Sequence, residues 1–262
     1  MLALKRLCLK QLRACETVTT KYGMSSAQEG KPMLKRTNAL ILFTAVESIL
    51  YIAFLLLDLF NAETSLLKYL SICVCFFYAL LMKIYNKNMN PVLLSAMTFT
   101  LFADTFLLLI GKYYLIGVIS FCIVQTIYAV YLISISDILS IFPRLAAFLT
   151  LIIFLSLHNI ADALSIASAY SYTQLIFNTI HAFKIKYKKS DGWLLAVGLL
   201  LFLMCDTCVG LTNITLYYNN MHTLISFIQP VASFGMWLFY LPAQVLIVCS
   251  FYNKYRRINN EK

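Results

Sequence analysis

Three acidic side chains lie within long apolar stretches of this sequence, and they are its best candidates for chemistry. They are Glu47, Asp104 and Asp206. A charged side chain at the centre of a bilayer costs about 2.5–3.5 kcal/mol on insertion scales, so an acid is seldom kept there without a use. Five other acids fall at the ends of the stretches or between them, where water solvates them: Asp58, Glu63, Asp137, Asp162 and Asp191.

Asp104 and Asp206 have matching positions and matching neighbours. Asp104 lies 13 residues after Pro91, and Asp206 lies 13 residues after Trp193, so we expect the two carboxylates at the same depth. The segment Leu-Phe-Ala-Asp-Thr around Asp104 aligns with Leu-Met-Cys-Asp-Thr around Asp206 at an offset of 102 residues. This correspondence predicts two parallel repeats of four spans that share one site.

Two carboxyl groups at one depth in an apolar bundle can divide acid–base work. Burial and a neighbouring carboxylate both favour the neutral form of one acid, so one can stay protonated beside a charged partner. Such a pair can protonate a poor leaving group or an electron-rich carbon and stabilise the resulting cation. The alternative is structural, with the acids hydrogen-bonded to Thr105, Thr207 or a nearby tyrosine to hold helices together.

The composition indicates which elements must position these acids. Hydrophobic residues make up 61% of the 262 residues and charged residues 12%, which excludes both a soluble core and intrinsic disorder. A membrane span needs about 20 apolar residues. The sequence contains eight such stretches: 38–60, 65–84, 91–111, 112–136, 141–158, 161–183, 193–212 and 223–252. We therefore predict an all-α, polytopic membrane helix bundle of eight transmembrane helices, with a tight hairpin joining the fifth and sixth.

Basic residues predict the orientation of the bundle, because lysine and arginine accumulate in short cytoplasmic segments. All but two of the 21 lysines and arginines fall on one side of the eight spans, and only Lys68 and Lys112 fall on the other. We therefore expect a multi-pass integral membrane protein with both termini cytoplasmic. The basic residues that give the formal net charge of +10 then contact anionic lipids of the inner leaflet. The charge therefore does not indicate nucleic-acid binding.

Two basic segments flank the predicted membrane domain of residues 38–252. In the extension 1–37, Leu4, Leu7 and Val18 share a helical face, which predicts a short cytoplasmic helix in the membrane interface. Met33, followed by Leu-Lys-Arg and the first span, is an alternative start of the protein. Residues 253–262 form the second segment, a basic cytoplasmic tail.

The cysteines and histidines favour neither a metal site nor a redox site. Cys205 and Cys208 form a CxxC, but on a membrane helix without a second pair they are better explained as small packing residues. His158 and His222 fall toward the outer side and His181 toward the inner side, so no common centre collects them. We expect no metal and no cofactor.

Three short motifs carry a family resemblance. The first places an aspartate before a leucine-rich stretch and then Gly, Phe and Tyr, the second contains Cys-Asp-Thr, and the third reads Tyr-Leu-Pro-Ala-Gln-Val-Leu-Ile. Their residues are Asp104, Gly117, Phe121 and Tyr128, then Asp206, then Tyr240 and Gln244. The motifs resemble those of the YhhN-like lysoplasmalogenases, a family of eight-span membrane proteins.

The resemblance implies a reaction. Members of that family are understood to hydrolyse the vinyl-ether bond of lysoplasmalogens, which releases a fatty aldehyde and a glycerophospho-alcohol, and two intramembrane aspartates are implicated. By motif, these are Asp104 and Asp206 here. A vinyl ether is protonated on carbon to give an oxocarbenium ion that water traps, which suits a pair of acids. The lipid substrate would come sideways from the bilayer. The alternative is a non-catalytic lipid-binding or transport protein of the same fold.

Five further residues are predicted to contact the substrate: Gln125, Tyr128, Tyr240, Gln244 and Glu47. Gln125 and Tyr128 share one helix face, and Tyr240 and Gln244 share another, because they are three and four residues apart. Glu47 has no motif and would pair with a tyrosine, line the cavity or add a third acid. Interhelical hydrogen bonding is the alternative for each residue.

The sequence departs from the family pattern at three places. Ala103 replaces a glycine, Gln125 replaces a histidine, and Lys68-Tyr69 replaces a lysine-proline. Gln125 matters most, because an amide can orient a water or an ether oxygen but cannot carry a proton as imidazole can.

Overall fold

The computed structural model describes residues 30–60, 62–85, 90–135, 140–188, 192–213 and 222–260. Eight α-helices and one π-helical segment make up most of these residues, and no β-strand occurs among them. The helices are α1 Gly30–Leu59, α2 Ser65–Tyr85, α3 Val92–Asp104, α4 Tyr114–Ile135, α5 Ile141–Leu157, α6 Ala163–Lys188, α7 Trp193–Asn213 and α8 His222–Asn260. The prediction of an all-α fold is confirmed.

Six of the eight helices are long and apolar enough to cross a membrane. They are α1 over Asn38–Leu59, α2, α3 with its π-helical continuation over Val92–Ile110, α4, α7, and α8 over Ile228–Tyr252. These six indicate a multi-pass membrane protein. The eight-span count, the two repeats and the orientation of the termini stay predictions.

The two remaining helices do not meet the criteria of length and apolar composition for a membrane span, each for a different reason. α5 has 17 residues, so at about 1.5 Å per residue it is shorter than a bilayer core of about 30 Å. α6 has 26 residues, but serine, threonine, glutamine, asparagine and histidine lower its hydropathy. Several of these polar residues contact buried groups of α4 and α5, so their polarity serves the interior of the bundle.

The helix ends differ from the predicted spans mainly at the termini. α1 begins at Gly30 and so extends into the predicted segment 1–37, and α8 continues to Asn260 through most of the predicted tail. The predicted interfacial helix near the N-terminus lies outside the described residues.

The predicted hairpin between the fifth and sixth stretches is confirmed by the turn between α5 and α6. Asn159 adopts a left-handed backbone conformation with φ of 57°, which reverses the chain. Asp162 then caps α6, since the Ser165 amide donates to its carboxylate at 2.7 Å. The Ser165 hydroxyl and amide together hold the pKa of Asp162 below its ordinary value.

The sequence predicted a single span over 91–111. The structure shows that this span is not a uniform α-helix. α3 ends at Asp104, and the chain continues as a π-helix over Thr105–Ile110 until Gly111, whose φ of 61° stops it. A π-helical segment widens the helix and re-aims the side chains that follow, and it occurs often at functional sites. Asp104 therefore lies at the junction between two helical geometries.

Two glycines allow close packing of helices, one beside Asp104 and the other against α8. A Cβ on Gly117 would lie 2.7 Å from Leu107 Cγ, so glycine lets α4 approach the π-helical segment. A Cβ on Gly198 would lie 2.9 Å from Ile247 Cγ1 and 3.2 Å from the Ala243 carbonyl oxygen, so α7 can pack closely on α8. These contacts fix α4, α7 and α8 around a common interior.

Candidate active site

Asp104 and Tyr240 form a buried hydrogen-bonded pair that joins the first and third sequence motifs. The Tyr240 hydroxyl donates to Asp104 Oδ2 at 2.7 Å. Asp104 is 3% exposed and Tyr240 is 5% exposed, so the pair lies in the interior. Because it is short and shielded from water, this hydrogen bond restricts the orientation of the Asp104 carboxyl group. The predicted site residue Tyr240 thus contacts the predicted catalytic residue Asp104 directly.

The Tyr240 ring is held by three other aromatic rings. Its centroid lies 5.6 Å from that of Trp237, 5.7 Å from that of Phe202 and 6.4 Å from that of Phe121, each in an edge-to-face arrangement. These rings come from α8, α7 and α4. Aromatic contacts of this kind restrict ring rotation, so the phenol is aimed at Asp104 by packing.

Asp206 lies on α7 with different surroundings. Its side chain is half-buried and makes no hydrogen bond to another described residue. Tyr240 and Cys205 each lie near enough to both Asp104 and Asp206 for their charges to interact. The two predicted catalytic aspartates therefore lie in the neighbourhood of one buried tyrosine.

The residue after each aspartate is bound in the same way. Thr105 Oγ1 lies 3.1 Å from the Tyr69 hydroxyl, and Thr207 Oγ1 lies 3.0 Å from the Tyr172 hydroxyl. Each threonine donates its one hydrogen at 2.8 Å to the carbonyl oxygen four residues earlier, so each tyrosine must be the donor to its threonine. These threonines therefore anchor the helices to neighbouring tyrosines and not to the aspartates. The hydrogen bond from Tyr240 to Asp104 is the tyrosine contact that the structural alternative also allowed.

The departure at Lys68-Tyr69 acquires contacts here. Tyr69, in the place of the proline that the resemblance led us to expect, supplies the hydroxyl that binds Thr105 beside Asp104. Lys68 pairs with Asp58 at 2.9 Å, and its Nζ lies 4.7 Å from the centroid of the Trp237 ring. The Lys68–Asp58 pair thus lies against the aromatic group that surrounds Tyr240.

α4 and α8 meet at two ring contacts, which define the space next to Asp104. Phe121 contacts Tyr240, and Tyr131 contacts Phe251 with a centroid separation of 5.3 Å. Both helices run from the first contact toward the second. The residues one turn after Phe121 on α4 and one turn after Tyr240 on α8 therefore lie at the same level along the two helices, between the two ring contacts.

The residues at that level are Gln125 and Gln244, both predicted substrate-binding residues. They are 0% and 1% exposed, and Gln125 Nε2 and both polar atoms of Gln244 have no hydrogen-bond partner among the described residues. The Tyr128 hydroxyl, one turn further along α4, and the Thr100 hydroxyl, one turn before Asp104 on α3, are also buried and without a partner in the part of the chain that the structure describes. An unpaired buried polar group costs about 1–3 kcal/mol, so this concentration indicates a place for a polar ligand or water.

Glu47 is bound to Cys75 and makes no hydrogen bond to Asp104 or Tyr240. It is 2% exposed, and Cys75 Sγ donates to its Oε1 at 3.3 Å, which leaves Oε2 without a partner among the described residues. Cys75 in turn interacts electrostatically with Tyr128. The structure therefore places Glu47 with Cys75 on the Tyr128 side of the site.

A buried arginine network was missed by sequence reasoning, which used Arg144 only as one of the basic residues that mark the cytoplasmic side. Arg144 lies in α5, is 3% exposed, and donates through one guanidinium nitrogen to Gln174 Oε1 and Asn178 Oδ1, both at 2.8 Å. Its other terminal nitrogen lies 3.2 Å from His181 Nδ1. The signal was present on α6, where glutamine, asparagine and histidine recur at four- and three-residue steps and so form one polar stripe.

The cysteines of the CxxC contribute to packing. Cys208 contacts α8, since a Cβ on Gly235 would lie 2.8 Å from its Sγ, and Cys205 is buried. Among the residues that the structure describes, no group of three His, Cys, Asp or Glu side chains is arranged to hold a metal ion.

Apolar helices of membrane-spanning length and a buried, tyrosine-bound carboxylate define an all-α membrane protein with an intramembrane polar site. Within that class the chain belongs to the YhhN family, whose model matches residues 63–251. The match contains both aspartates and all three motifs but begins after α1, so Glu47 lies outside it. Neither the curated protein sequences nor the solved structures contain a significant match to the chain.

Proposed function

We propose that this protein is an intramembrane hydrolase of the lysoplasmalogenase type. It cleaves the vinyl-ether bond of a lysoplasmalogen-type lipid and releases a fatty aldehyde and a glycerophospho-alcohol. The observation that carries the proposal is the buried hydrogen bond from Tyr240 to Asp104, with Asp206 near enough to the same tyrosine for their charges to interact. Membership of the YhhN family supports the same reaction class.

The different surroundings of the two aspartates suggest separate roles. Asp206, which has no hydrogen-bond donor among the described residues, acts as the acid and transfers its proton to the vinyl carbon remote from oxygen. The remaining vinyl carbon and the ether oxygen become an oxocarbenium ion. The Asp104 carboxylate, held by Tyr240, stabilises that cation.

Water completes the reaction. A water molecule adds to the cationic carbon, and the proton it loses returns to the Asp206 carboxylate. The resulting hemiacetal collapses, so that the bond between this carbon and the glycerol oxygen breaks, the hydroxyl oxygen becomes the aldehyde oxygen, and its proton passes to the glycerol oxygen. No net proton is consumed, and the only co-reactant is water.

The apolar bundle strengthens these steps. Tyr240 is surrounded by Trp237, Phe202 and Phe121, so bulk water is excluded and the attraction between carboxylate and cation is less screened. The pair of acids needs no histidine for proton transfer. Gln125 in place of the family's histidine is therefore compatible with turnover, with its amide holding an oxygen of the substrate.

The unpaired polar atoms of Gln125, Gln244 and Tyr128 support a binding role for these residues. They lie one to two turns from Tyr240, on the faces of α4 and α8 that meet. We expect them to bind the glycerol oxygens of a lysolipid, with the acyl chain between the apolar helices. An amphiphile of this kind reaches the site laterally from the bilayer.

Release of fatty aldehyde from lysoplasmalogen by the purified protein tests the proposal. We expect Asp104→Asn and Asp206→Asn each to lower the rate by about 100-fold or more, because each keeps the side-chain size but removes the charge and the proton. Glu63→Gln is the matched control, since Glu63 is exposed and its amide can still accept the hydrogen bond from the Ser65 amide. A folded native protein that releases no aldehyde would instead favour a non-catalytic lipid-binding or transport protein.

A further inference from the structure

Three buried polar side chains on three different helices form a continuous hydrogen-bonded row. Arg144 on α5 donates to Asn178 Oδ1 on α6 at 2.8 Å. Asn178 Nδ2 donates to Gln125 Oε1 on α4 at 3.1 Å and to the Gln125 carbonyl oxygen at 3.0 Å. Arg144 is 3% exposed and the other two are fully buried, so water does not compete for these bonds.

The chemistry of arginine fixes the direction of every amide in this row. A guanidinium carries only donors, so the Asn178 atom that faces Arg144 must be the oxygen. The Asn178 amino group therefore faces Gln125, and Gln125 must accept with its own oxygen. The orientation of a buried amide is usually ambiguous, but here the donor-only guanidinium on one side of Asn178 and the acceptor-only Gln125 carbonyl on the other determine both amides.

Only one kind of polar atom on the Gln125 side chain then remains free. Its oxygen is occupied by Asn178, and its Nε2 is buried without a partner among the described residues. Gln125 lies one turn beyond Phe121, whose ring contacts Tyr240, so this buried amino group is close to the site. It can donate a hydrogen bond there and cannot accept one.

We propose that Arg144 is a positioning residue that acts through Asn178 to hold Gln125 as a hydrogen-bond donor to an oxygen of the lipid substrate. The inference rests on the proposed function for the identity of that oxygen, which is one of the glycerol backbone of a lysolipid. Without Arg144, the Asn178 oxygen loses its donor, and only the Gln125 carbonyl oxygen still favours the native direction of the two amides. A reversed Gln125 amide presents an oxygen that repels the substrate oxygen. Gln174 Oε1 and the Phe177 ring hold the guanidinium in place.

The sharpest variant reverses the Gln125 amide without removing any atom from the core. In Asn178→Asp, the carboxylate still accepts from Arg144 but cannot donate to Gln125, so the Gln125 amino group turns toward it and the oxygen turns toward the site. Gln174→Glu makes the same chemical change on the same arginine nitrogen but does not contact Gln125. A pair of substitutions thus separates amide direction from added charge.

The measurement is the dissociation constant of a saturated 1-O-alkyl lysophospholipid, which keeps the glycerol oxygens but has no double bond to protonate. We expect Asn178→Asp to weaken binding about tenfold or more, and Gln174→Glu to change it less than about threefold. Because binding needs no turnover, a protein that binds this probe but releases no aldehyde would refute the hydrolase proposal and leave this inference standing. Equal losses in the two variants, or no loss in Asn178→Asp, would overturn the inference.

A double substitution and an arginine pair complete the test. Gln125→Met removes the amide, so adding Asn178→Asp to it should weaken binding no further, whereas general damage to the core would add to the loss. Arg144→Lys keeps a donor-only cation and should bind within about threefold of the native protein. Arg144→Gln offers either a donor or an acceptor, and we expect it to weaken binding more than Arg144→Lys but less than Asn178→Asp, because the Gln125 carbonyl oxygen still favours the native amide direction. Additive losses, or equal binding by the two Arg144 variants, would contradict the positioning role.

Discussion

Asp104 and Asp206 are followed by threonines that are bound alike, yet the carboxylates themselves differ. Thr105 and Thr207 each donate to the carbonyl oxygen one turn earlier and each accept from a tyrosine of a neighbouring helix. Only Asp104 receives a phenol hydrogen bond from Tyr240, and it is more buried than Asp206. The shared sequence therefore fixes the local anchoring, while the packing of α8 distinguishes the two acids.

The backbone beyond each aspartate differs as well. After Asp104 the chain becomes π-helical as far as Ile110, whereas α7 continues without interruption past Asp206 to Asn213. A fixed carboxylate at a helix irregularity and a freer carboxylate on a regular helix suit two different roles. This difference motivates the assignment of Asp104 as the stabilising anion and Asp206 as the acid.

Removing the Tyr240 hydroxyl should have the largest effect on the difference between Asp104 and Asp206. Tyr240→Phe keeps the ring and its three aromatic contacts but leaves Asp104 without its donor, so we expect the rate of aldehyde release to fall about tenfold to a hundredfold. Steady-state kinetics of purified protein would measure the fall. Tyr172→Phe, which removes a hydroxyl on the Asp206 side, is the control. Equal rates for Tyr240→Phe and the native protein would refute the role given to this bond.

A matched pair of glycine substitutions compares the packing around the two acids. Gly117→Ala places a Cβ 2.7 Å from Leu107 Cγ beside Asp104, and we expect it to destabilise the protein by about 1–2 kcal/mol. Gly210→Ala, on the helix that carries Asp206, meets nothing within 4 Å and should be neutral or slightly stabilising because alanine favours helix. Thermal unfolding in detergent measures both. Equal unfolding temperatures for the two variants would contradict the tighter packing at Asp104.

The smallest expected effects concern the two tyrosines that bind the threonines. Tyr69→Phe removes the donor to Thr105 and should lower the rate about two- to fivefold, since a single neutral hydrogen bond contributes about 1 kcal/mol. Tyr172→Phe should have less effect, because Thr207 is exposed whereas Thr105 is half-buried. Aldehyde release by the native protein and the two variants, measured side by side, would show which substitution lowers the rate more. A larger loss in Tyr172→Phe would reverse the ranking of the two regions.

Much of the fold could be predicted from the sequence because helical spans are local. The apolar stretches predicted where the helices lie. The polar break at His158, Asn159 and Asp162 predicted the turn between α5 and α6. The motifs correctly brought Tyr240 and Asp104 into one family pattern, and the resemblance to the YhhN family is confirmed. The identification of Gln125 and Gln244 as site candidates also came from those motifs, and their binding role stays a prediction.

What the sequence could not predict depends on how helices rotate against one another. Nothing near either aspartate indicates which of them receives the Tyr240 hydroxyl, because that residue is distant in the chain. Arg144 was interpreted as a topological charge, since arginines at span ends usually extend to the membrane surface. The π-helical segment left no distinct mark either, because its residues are as apolar as those of an α-helical span.

Hydrolysis of lysoplasmalogen in D₂O tests most directly whether a carboxyl group protonates the vinyl carbon. We expect the released aldehyde, trapped as a hydrazone and analysed by mass spectrometry, to carry one deuterium on the carbon next to the aldehyde carbon. Unlabelled aldehyde incubated in D₂O with the Asp104→Asn variant controls for exchange. Aldehyde without deuterium from the native protein would contradict carbon protonation and with it the paired-carboxylate mechanism.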